Sequence, residues 1–123
     1  MLRIVVGGLR KDVIERTAKE AGGDKISVTV TSDFEAAKKI KAGEADYYLG
    51  ACNSGGGAAL SIPIGILGYS NCATVAKLGG KPDAKNIEKL VSEGKVAFGM
   101  AVESVEDAVP LIISSLLKKH NLI

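Results

Sequence analysis

The sequence predicts one α/β domain with a flavodoxin-like (βα)5 fold, in which helices cover both faces of a parallel sheet in three layers. Five apolar, β-rich segments alternate with five segments of helical periodicity, joined by short loops. All 123 residues fit one such domain, without a linker or an internal repeat. Right-handed crossovers make 2-1-3-4-5 the leading strand order.

The predicted strands differ in polarity. Strand two alternates apolar and polar residues, which is typical of a sheet edge, whereas strands one, three and four are nearly continuous apolar runs and suit central positions. The five strands cover residues 3–6, 25–31, 47–51, 72–76 and 96–102.

The helices are predicted from apolar spacing and from their end signals. Ser32 or Asp33 caps the second helix. Ser104 opens the last one, with Asp107 three residues further on in a capping arrangement. The first, third and fourth helices cover about residues 11–21, 57–67 and 83–93.

Composition excludes several classes of function. The net charge is +2 and the charges are interspersed, so no basic stripe suggests a nucleic acid, and few aromatic residues are present to stack on bases. No P-loop or dinucleotide fingerprint occurs, and one histidine with two cysteines assembles neither a metal site nor a Ser-His-Asp set. We expect no cofactor and no metal.

Residues 47–76 carry no charge and are long enough to span a bilayer. Asn53, Pro63 and several glycines interrupt this run, so membrane insertion is not expected. The amino terminus lacks the pattern of a signal peptide. The two cysteines are therefore expected to stay reduced in the cytoplasm.

The residues that follow the strands form one neighbourhood at the carboxyl edge of a parallel sheet, where ligands bind in such folds. The Cys52-to-Gly57 turn is its central feature, because three successive glycines are favoured where a ligand approaches the backbone. Ser32, Asp33, Glu103 and Ser104 belong to the same neighbourhood. The candidate ligand-binding residues are Gly8, Arg10, Asn53, Ser54, Gly55, Gly56, Gly57, Lys77, Gly79 and Gly80, with Cys52 as the candidate catalytic residue.

Each candidate also has a structural interpretation. The glycines fit close helix–strand packing, and a free cysteine such as Cys52 is commonly a small buried apolar residue, although a helix amino terminus would favour its thiolate. Arg10 and Lys77 are either solvated or bound to an anion. Asp33 fits better as a helix cap than as a base. His120 lies too far along the last helix for catalysis.

The segment from Asp46 to Ile62 is similar to a YhfU-like bacterial family of unknown function, as is the segment 94–103, and the resemblance covers essentially the whole chain. Members of that family tend to be encoded near a multi-pass membrane protein and pyridoxal-phosphate-type enzymes. The resemblance therefore implies a role in small-molecule uptake or catabolism, with possible contact to a membrane transporter.

The turn from Cys52 to Gly57 also resembles the Cys-Gly-Thr-Gly-x-Gly turn of the B-type ribose phosphate and galactose phosphate isomerases. The resemblance implies that Cys52 acts as a general base while the amides from Ser54 to Gly57 hold an enediolate oxygen. Asn53 stands where that family has glycine, and its histidines and arginines have no counterpart in this chain.

Together these observations predict a protein that binds a small phosphorylated or carboxylated metabolite at the turn. Isomerase-type proton transfer by Cys52 and a non-catalytic scaffold or subunit role in a transport or catabolic system are the alternatives. The helix after Gly57 is apolar on every side, which predicts a homo-oligomer with Ala59, Ile62 and Ile66 at the contact. The alternative is that the last helix folds across it.

Overall fold

A computed structural model of the chain describes residues 1–55 and 58–123. Within these ranges five strands and five helices alternate, and the ends of the predicted elements shift by only one or two residues. The strands are β1 (Leu2–Gly8), β2 (Ile26–Val30), β3 (Tyr47–Cys52), β4 (Cys72–Ala76) and β5 (Ala97–Ala101). The helices are α1 (Lys11–Gly22), α2 (Asp33–Lys41), α3 (Ala58–Leu67), α4 (Ala84–Ser92) and α5 (Val105–Lys119).

The strands form one parallel sheet in the order β2-β1-β3-β5-β4, with helices on both faces. Helices α2 and α3 pack together on one face, while α5 packs against α1 and α4 on the other. The flavodoxin-like α/β class with three layers is therefore confirmed. Because α5 and α3 lie on opposite faces, the alternative in which the last helix covers α3 is wrong.

The predicted order 2-1-3-4-5 is wrong for its last two strands, because β5 lies between β3 and β4. All five residues of β5 are buried, whereas Ala73 and Thr74 in β4 are only partly buried, as suits an edge strand. Gly99 of β5 leaves room for Leu60 of α3, since a Cβ on Gly99 would lie 2.7 Å from Leu60 Cγ. The central position thus belongs to the strand whose two faces are both covered by helices.

The return from β4 to β5 also decides where α4 lies. A right-handed crossover places the helix on one face when the chain moves toward β2 and on the other face when it moves away. The chain moves toward β2 in the connections through α1 and α4, so these two helices share a face with α5. Only α2 and α3 remain to cover the opposite face.

The core is divided unequally between the two faces. The larger cluster lies under α1, α4 and α5 and includes Ile14, Ile87 and Ile112. The smaller cluster lies under α2 and α3 and includes Tyr48 and Leu60. Tyr48 is fully buried, and its hydroxyl donates a hydrogen bond of 2.9 Å to the carbonyl of Ala59. This bond ties the start of α3 to the sheet.

Among the described residues, no helix combines the length and the apolar character that a membrane span requires.

Candidate functional site

A cavity of about 380 Å³ opens at the carboxyl edge of the sheet, beside the ends of β1 and β3. The chain leaves β1 toward β2 on one side and returns to β3 on the other, so this is the crevice where the strand order reverses. We call this cavity the Cys52 pocket. Its described lining consists of Gly8, Leu9, Asp33, Ala51, Cys52, Asn53, Ser54 and Ala59.

Gly8 allows the ends of β1 and β3 to approach each other in the wall of the Cys52 pocket. Its φ is 77°, and a Cβ at this position would lie 2.5 Å from the carbonyl oxygen of Ala51. That oxygen also accepts a 2.9 Å hydrogen bond from the N–H of Leu9. A side chain at position 8 would therefore be both strained and sterically blocked.

Cys52 lies at the end of β3, and the residue as a whole is only 5% exposed within the chain. The N–H of Gly55 donates to its sulfur at 3.1 Å, and the Ser54 hydroxyl lies 3.8 Å away. Burial disfavours the charged thiolate, but hydrogen bonds to the sulfur outweigh this effect and lower the pKa of Cys52 below its ordinary value. The donors are the N–H of Ala59, the Ser54 hydroxyl and the N–H groups of Gly55 and Ser54.

Within the described part of the turn, the Gly55 amide that the sequence suggested for a ligand anion donates instead to the sulfur of Cys52. Gly55 has a φ of 75° and packs against the ends of β4 and β5, so its N–H is directed inward to Cys52. Asn53 is exposed and lines the pocket. The candidates Gly56 and Gly57 lie outside the described residues. In the described part of the turn, the anion that the amides stabilise is the Cys52 thiolate.

Asp33 is the lining residue to which sequence reasoning gave too little weight. It is the first residue of α2, but the cap is Ser32, whose side chain accepts the N–H of Glu35 at 3.1 Å. One oxygen of Asp33 accepts the N–H of Phe34 at 2.9 Å, and the residue faces the Cys52 pocket. The place of Asp33 in the chain indicates this role. Because β2 ends beside β1, residue 33 reaches the same sheet edge as Cys52.

Arg10 reaches a different part of the same edge. Its guanidinium donates to the carbonyl of Val102 at 2.9 Å and lies 3.6 Å from the carboxylate of Glu106. Arg10 itself has a left-handed backbone, with φ 52°, at the start of α1. These two contacts link the first βα-loop to the start of α5. Arg10 is not among the described residues that line the Cys52 pocket.

The loop after β4 lies beside the Cys52 pocket without lining it. Lys77 is exposed and borders a separate cavity of about 240 Å³ between α3 and β4. The next residue, Leu78, donates its N–H to the carbonyl of Ser54 at 2.8 Å, which joins the two loops. Gly79 donates its N–H to the Glu103 carboxylate at 2.6 Å. Gly79 and Gly80 line a third cavity, on the side of α5.

The remaining titratable candidates lie away from the Cys52 pocket. His120 Nε2 is 2.7 Å from the Tyr47 hydroxyl, at the opposite end of β3 from Cys52. Cys72 begins β4, and burial raises the pKa of its thiol. Within the described ranges no group of three or more His, Cys, Asp or Glu side chains is placed to hold a metal ion.

Comparison with solved structures supports the fold. Type B ribose 5-phosphate isomerase of Trypanosoma cruzi superposes with a TM-score of 0.69 at 15% identity, over 96% of this chain and 84% of that one. For the Trypanosoma brucei enzyme the TM-score is 0.67 at 14% identity, over 96% and 86%. For ribose-5-phosphate isomerase B of Giardia lamblia it is 0.64 at 12% identity, over 97% and 92%. At these identities the likeness concerns the fold alone.

Sequence comparison defines the family. The chain is 47% identical over 116 residues to the uncharacterized protein YhfU of Escherichia coli (strain K12), which covers 94% of this chain and 99% of that protein. The YhfU protein of Shigella flexneri matches to the same extent. Residues 2–116 match the family model described as protein of unknown function DUF2620. The resemblance to a YhfU-like family is thereby confirmed, and the chain belongs to the DUF2620 family.

Proposed function

We propose that the Cys52 pocket binds a small anionic metabolite, phosphorylated or carboxylated, at the carboxyl edge of the sheet. The observation that carries this proposal is the position of the cavity, which lies where the strand order reverses and is walled by the loops that follow β1, β2 and β3. A volume of about 380 Å³ suits a small molecule. The unpaired Cys52 and Cys72 thiols suit a reducing compartment, so we place this activity in the cytoplasm.

Lys77 is the residue that we assign to the anionic group of the ligand. It is exposed and makes no ion pair among the described residues, whereas the charge of Arg10 is engaged by Val102 and Glu106. Since β5 separates β3 from β4, Lys77 begins its loop roughly 10 Å from the end of β3, two strand spacings away. The proposed ligand therefore lies with one end at Cys52 and its anionic group at Lys77.

The test is a binding screen with sugar phosphates and short hydroxycarboxylates, read by thermal shift and then by calorimetry. We expect Lys77→Ala to weaken the binding of any hit by roughly ten-fold or more, because a charge-assisted hydrogen bond is lost. Lys41→Ala is the matched control, since it removes the same charge at the far end of α2. Equal affinity in wild type and Lys77→Ala, or the absence of any hit, contradicts the proposal.

A second candidate is isomerase-type proton transfer, favoured by the hydrogen bonds that converge on the Cys52 sulfur. In this reaction the thiolate removes the proton from the carbon beside a carbonyl, and the electron pair of that C–H bond forms the double bond of an enediolate. The thiol then returns the proton to the former carbonyl carbon, while the proton of the adjacent hydroxyl moves to the former carbonyl oxygen, and a carbonyl is restored one position along the chain. Solved proteins that share the fold include type B ribose 5-phosphate isomerases, which supports this chemistry.

We also propose that the protein is a homodimer formed through α3. Ile62 and Ile66 of this helix are only partly buried, Gly65 is exposed, and residues 47–76 contain no charged side chain. An uncharged helical surface of this kind is best covered by a second copy with the same surface. Ala59 is buried within its own chain and lines the Cys52 pocket, so the contact is assigned to Ile62 and Ile66.

Sedimentation at micromolar concentration tests the dimer. We expect a species of about twice the 12.7 kDa mass of one chain. Ile66→Lys is expected to yield monomer, because a charge would be buried without a partner. Ala21→Lys introduces the same charge at an exposed position on α1, on the other face of the sheet, and should leave the dimer intact. A wild-type monomer at this concentration would refute the assignment.

A further inference from the structure

The Cys52 pocket carries acidic and no basic side chains in its described lining. Asp33 and Cys52 are its titratable groups, and the other described lining residues are uncharged. The polarity of the pocket near the thiol is therefore negative at neutral pH, and more so when Cys52 is ionised. A negatively charged wall is unexpected in a site that binds an anionic metabolite.

The backbone fixes where Asp33 lies. Gly7 at the end of β1 lies directly under the start of α2, since a Cβ on Gly7 would be 2.8 Å from Asp33 Cα. The hydrogen bond from Phe34 N–H to Asp33 Oδ1 then holds the carboxylate at 2.9 Å. Among the described residues Asp33 Oδ2 has no hydrogen-bond partner, which leaves it free to accept one from a ligand. The carboxylate is thus a fixed acceptor on the pocket wall.

The Asp33 charge also acts on a buried neighbour. Burial, and then the negative charge of Asp33, raises the pKa of Tyr48. The cations of the same sheet edge are directed elsewhere, Arg10 to Glu106 and Lys77 to the cavity beside α3. The cations of this edge therefore lie away from the Asp33 wall of the Cys52 pocket.

We infer that Asp33 is the specificity-determining residue of the Cys52 pocket: its carboxylate admits the uncharged, hydroxyl-bearing end of the ligand and keeps the anionic end away from this wall. This inference rests on the proposed function, and it narrows the ligand class to molecules that carry a hydroxyl-bearing end and one separate anionic group. A free carboxylate oxygen accepts hydrogen bonds from hydroxyl groups, but it repels phosphate or carboxylate placed beside it. The hydroxyl-bearing end is then the part of the ligand that reaches the Cys52 sulfur.

The experiment uses two thiol reagents of similar size, neutral iodoacetamide and anionic iodoacetate, in a Cys72→Ser background so that Cys52 alone reports. Rates are divided by those of free N-acetylcysteine with the same reagent. We expect iodoacetamide to be favoured over iodoacetate by on the order of ten-fold, because the fixed carboxylate repels the charged reagent. Asp33→Asn retains the acceptor for Phe34 N–H and should bring the two normalised rates within about two-fold.

Glu35→Gln is the matched control, since it removes the same charge from the exposed side of the same helical turn and should leave the preference unchanged. The pH dependence of the iodoacetamide rate is a second readout: hydrogen bonds to the sulfur lower the pKa of Cys52, so the profile should be the same in Asp33→Asn and in wild type, and only the iodoacetate rate should change. A preference that survives in Asp33→Asn, or a Cys52 that reacts with neither reagent in folded protein, overturns the inference.

These outcomes are independent of the metabolite screen. If Asp33→Asn abolishes the preference while no anionic metabolite binds, the polarity assigned to Asp33 stands and the proposed ligand class falls. If Lys77-dependent binding is found while Asp33→Asn changes nothing, the role of Asp33 falls and the proposed function stands.

Discussion

Cys52→Ser is expected to lower any proton-transfer activity by at least about a hundred-fold, which is the usual contribution of a positioned general base. Serine has nearly the same size, but its hydroxyl does not ionise in the working pH range. The measurement is exchange of the substrate C–H proton with D₂O, followed by NMR, with hits from the binding screen as substrates. Binding of those hits should change by only a few fold, because the substitution removes the base and leaves the walls of the pocket in place.

The lowered pKa of Cys52 sets the pH profile of that activity. The thiolate is the active form, so the rate should rise with pH, and the midpoint of the rise should lie below that of an ordinary thiol. Cys72→Ser is the control, since Cys72 lies at the start of β4 and its own thiol pKa is raised. A Cys52→Ser protein that exchanges the proton as fast as wild type excludes Cys52 as the base. Binding without any exchange in wild type leaves the site as a binding site.

Gly8→Ala is expected to cost at least about 3 kcal/mol of folding free energy, the sum of left-handed backbone strain and a clash with a rigid strand. The added Cβ would lie 2.5 Å from the Ala51 oxygen and 3.0 Å from the Ala51 nitrogen, and Ala51 is held in the middle of the sheet. The melting temperature should fall by roughly 10 °C or more. Because Gly8 lines the Cys52 pocket, ligand binding should weaken as well.

Gly43→Ala is the control that separates the cost of left-handed backbone strain from the cost of the steric clash. Gly43 has a φ of 76°, almost the same as Gly8, but an added Cβ would find no atom within 4 Å. It should therefore lose only about 1 kcal/mol, the cost of the left-handed conformation itself. Equal losses at the two positions would show that the approach of β1 to β3 is not sterically limiting.

Most of the fold follows from local patterns in the sequence. Alternation, apolar runs and capping residues such as Ser32 predict every described helix and strand, because these signals act within a few residues of each element. The order of β4 and β5 does not follow, because it depends on contacts between distant segments. Leu60 fits over Gly99, and this requires β5 to lie under α3. An apolar run such as β4 is consistent with either position.

The sequence predicts which residues lie together at this sheet edge, but it does not predict their hydrogen bonds. Parallel strands bring Gly8, Asp33 and Cys52 to one sheet edge by topology alone, and the sequence is sufficient for that. The sequence does not predict which groups pair with one another at this edge. That the Gly55 N–H points at the Cys52 sulfur and that Arg10 pairs with Glu106 depends on side-chain geometry, which no spacing encodes.

The insertion of β5 between β3 and β4 gives α3 a longer path than a crossover between neighbouring strands would. The helix starts beside the end of β3, where Ala59 forms part of the Cys52 pocket. The helix then crosses β5, and its residues Leu60 and Ile64 line the cavity that Lys77 borders. The two cavities therefore share one wall, and a shift of α3 that widens either cavity must also move the amide of Ala59 relative to the Cys52 sulfur.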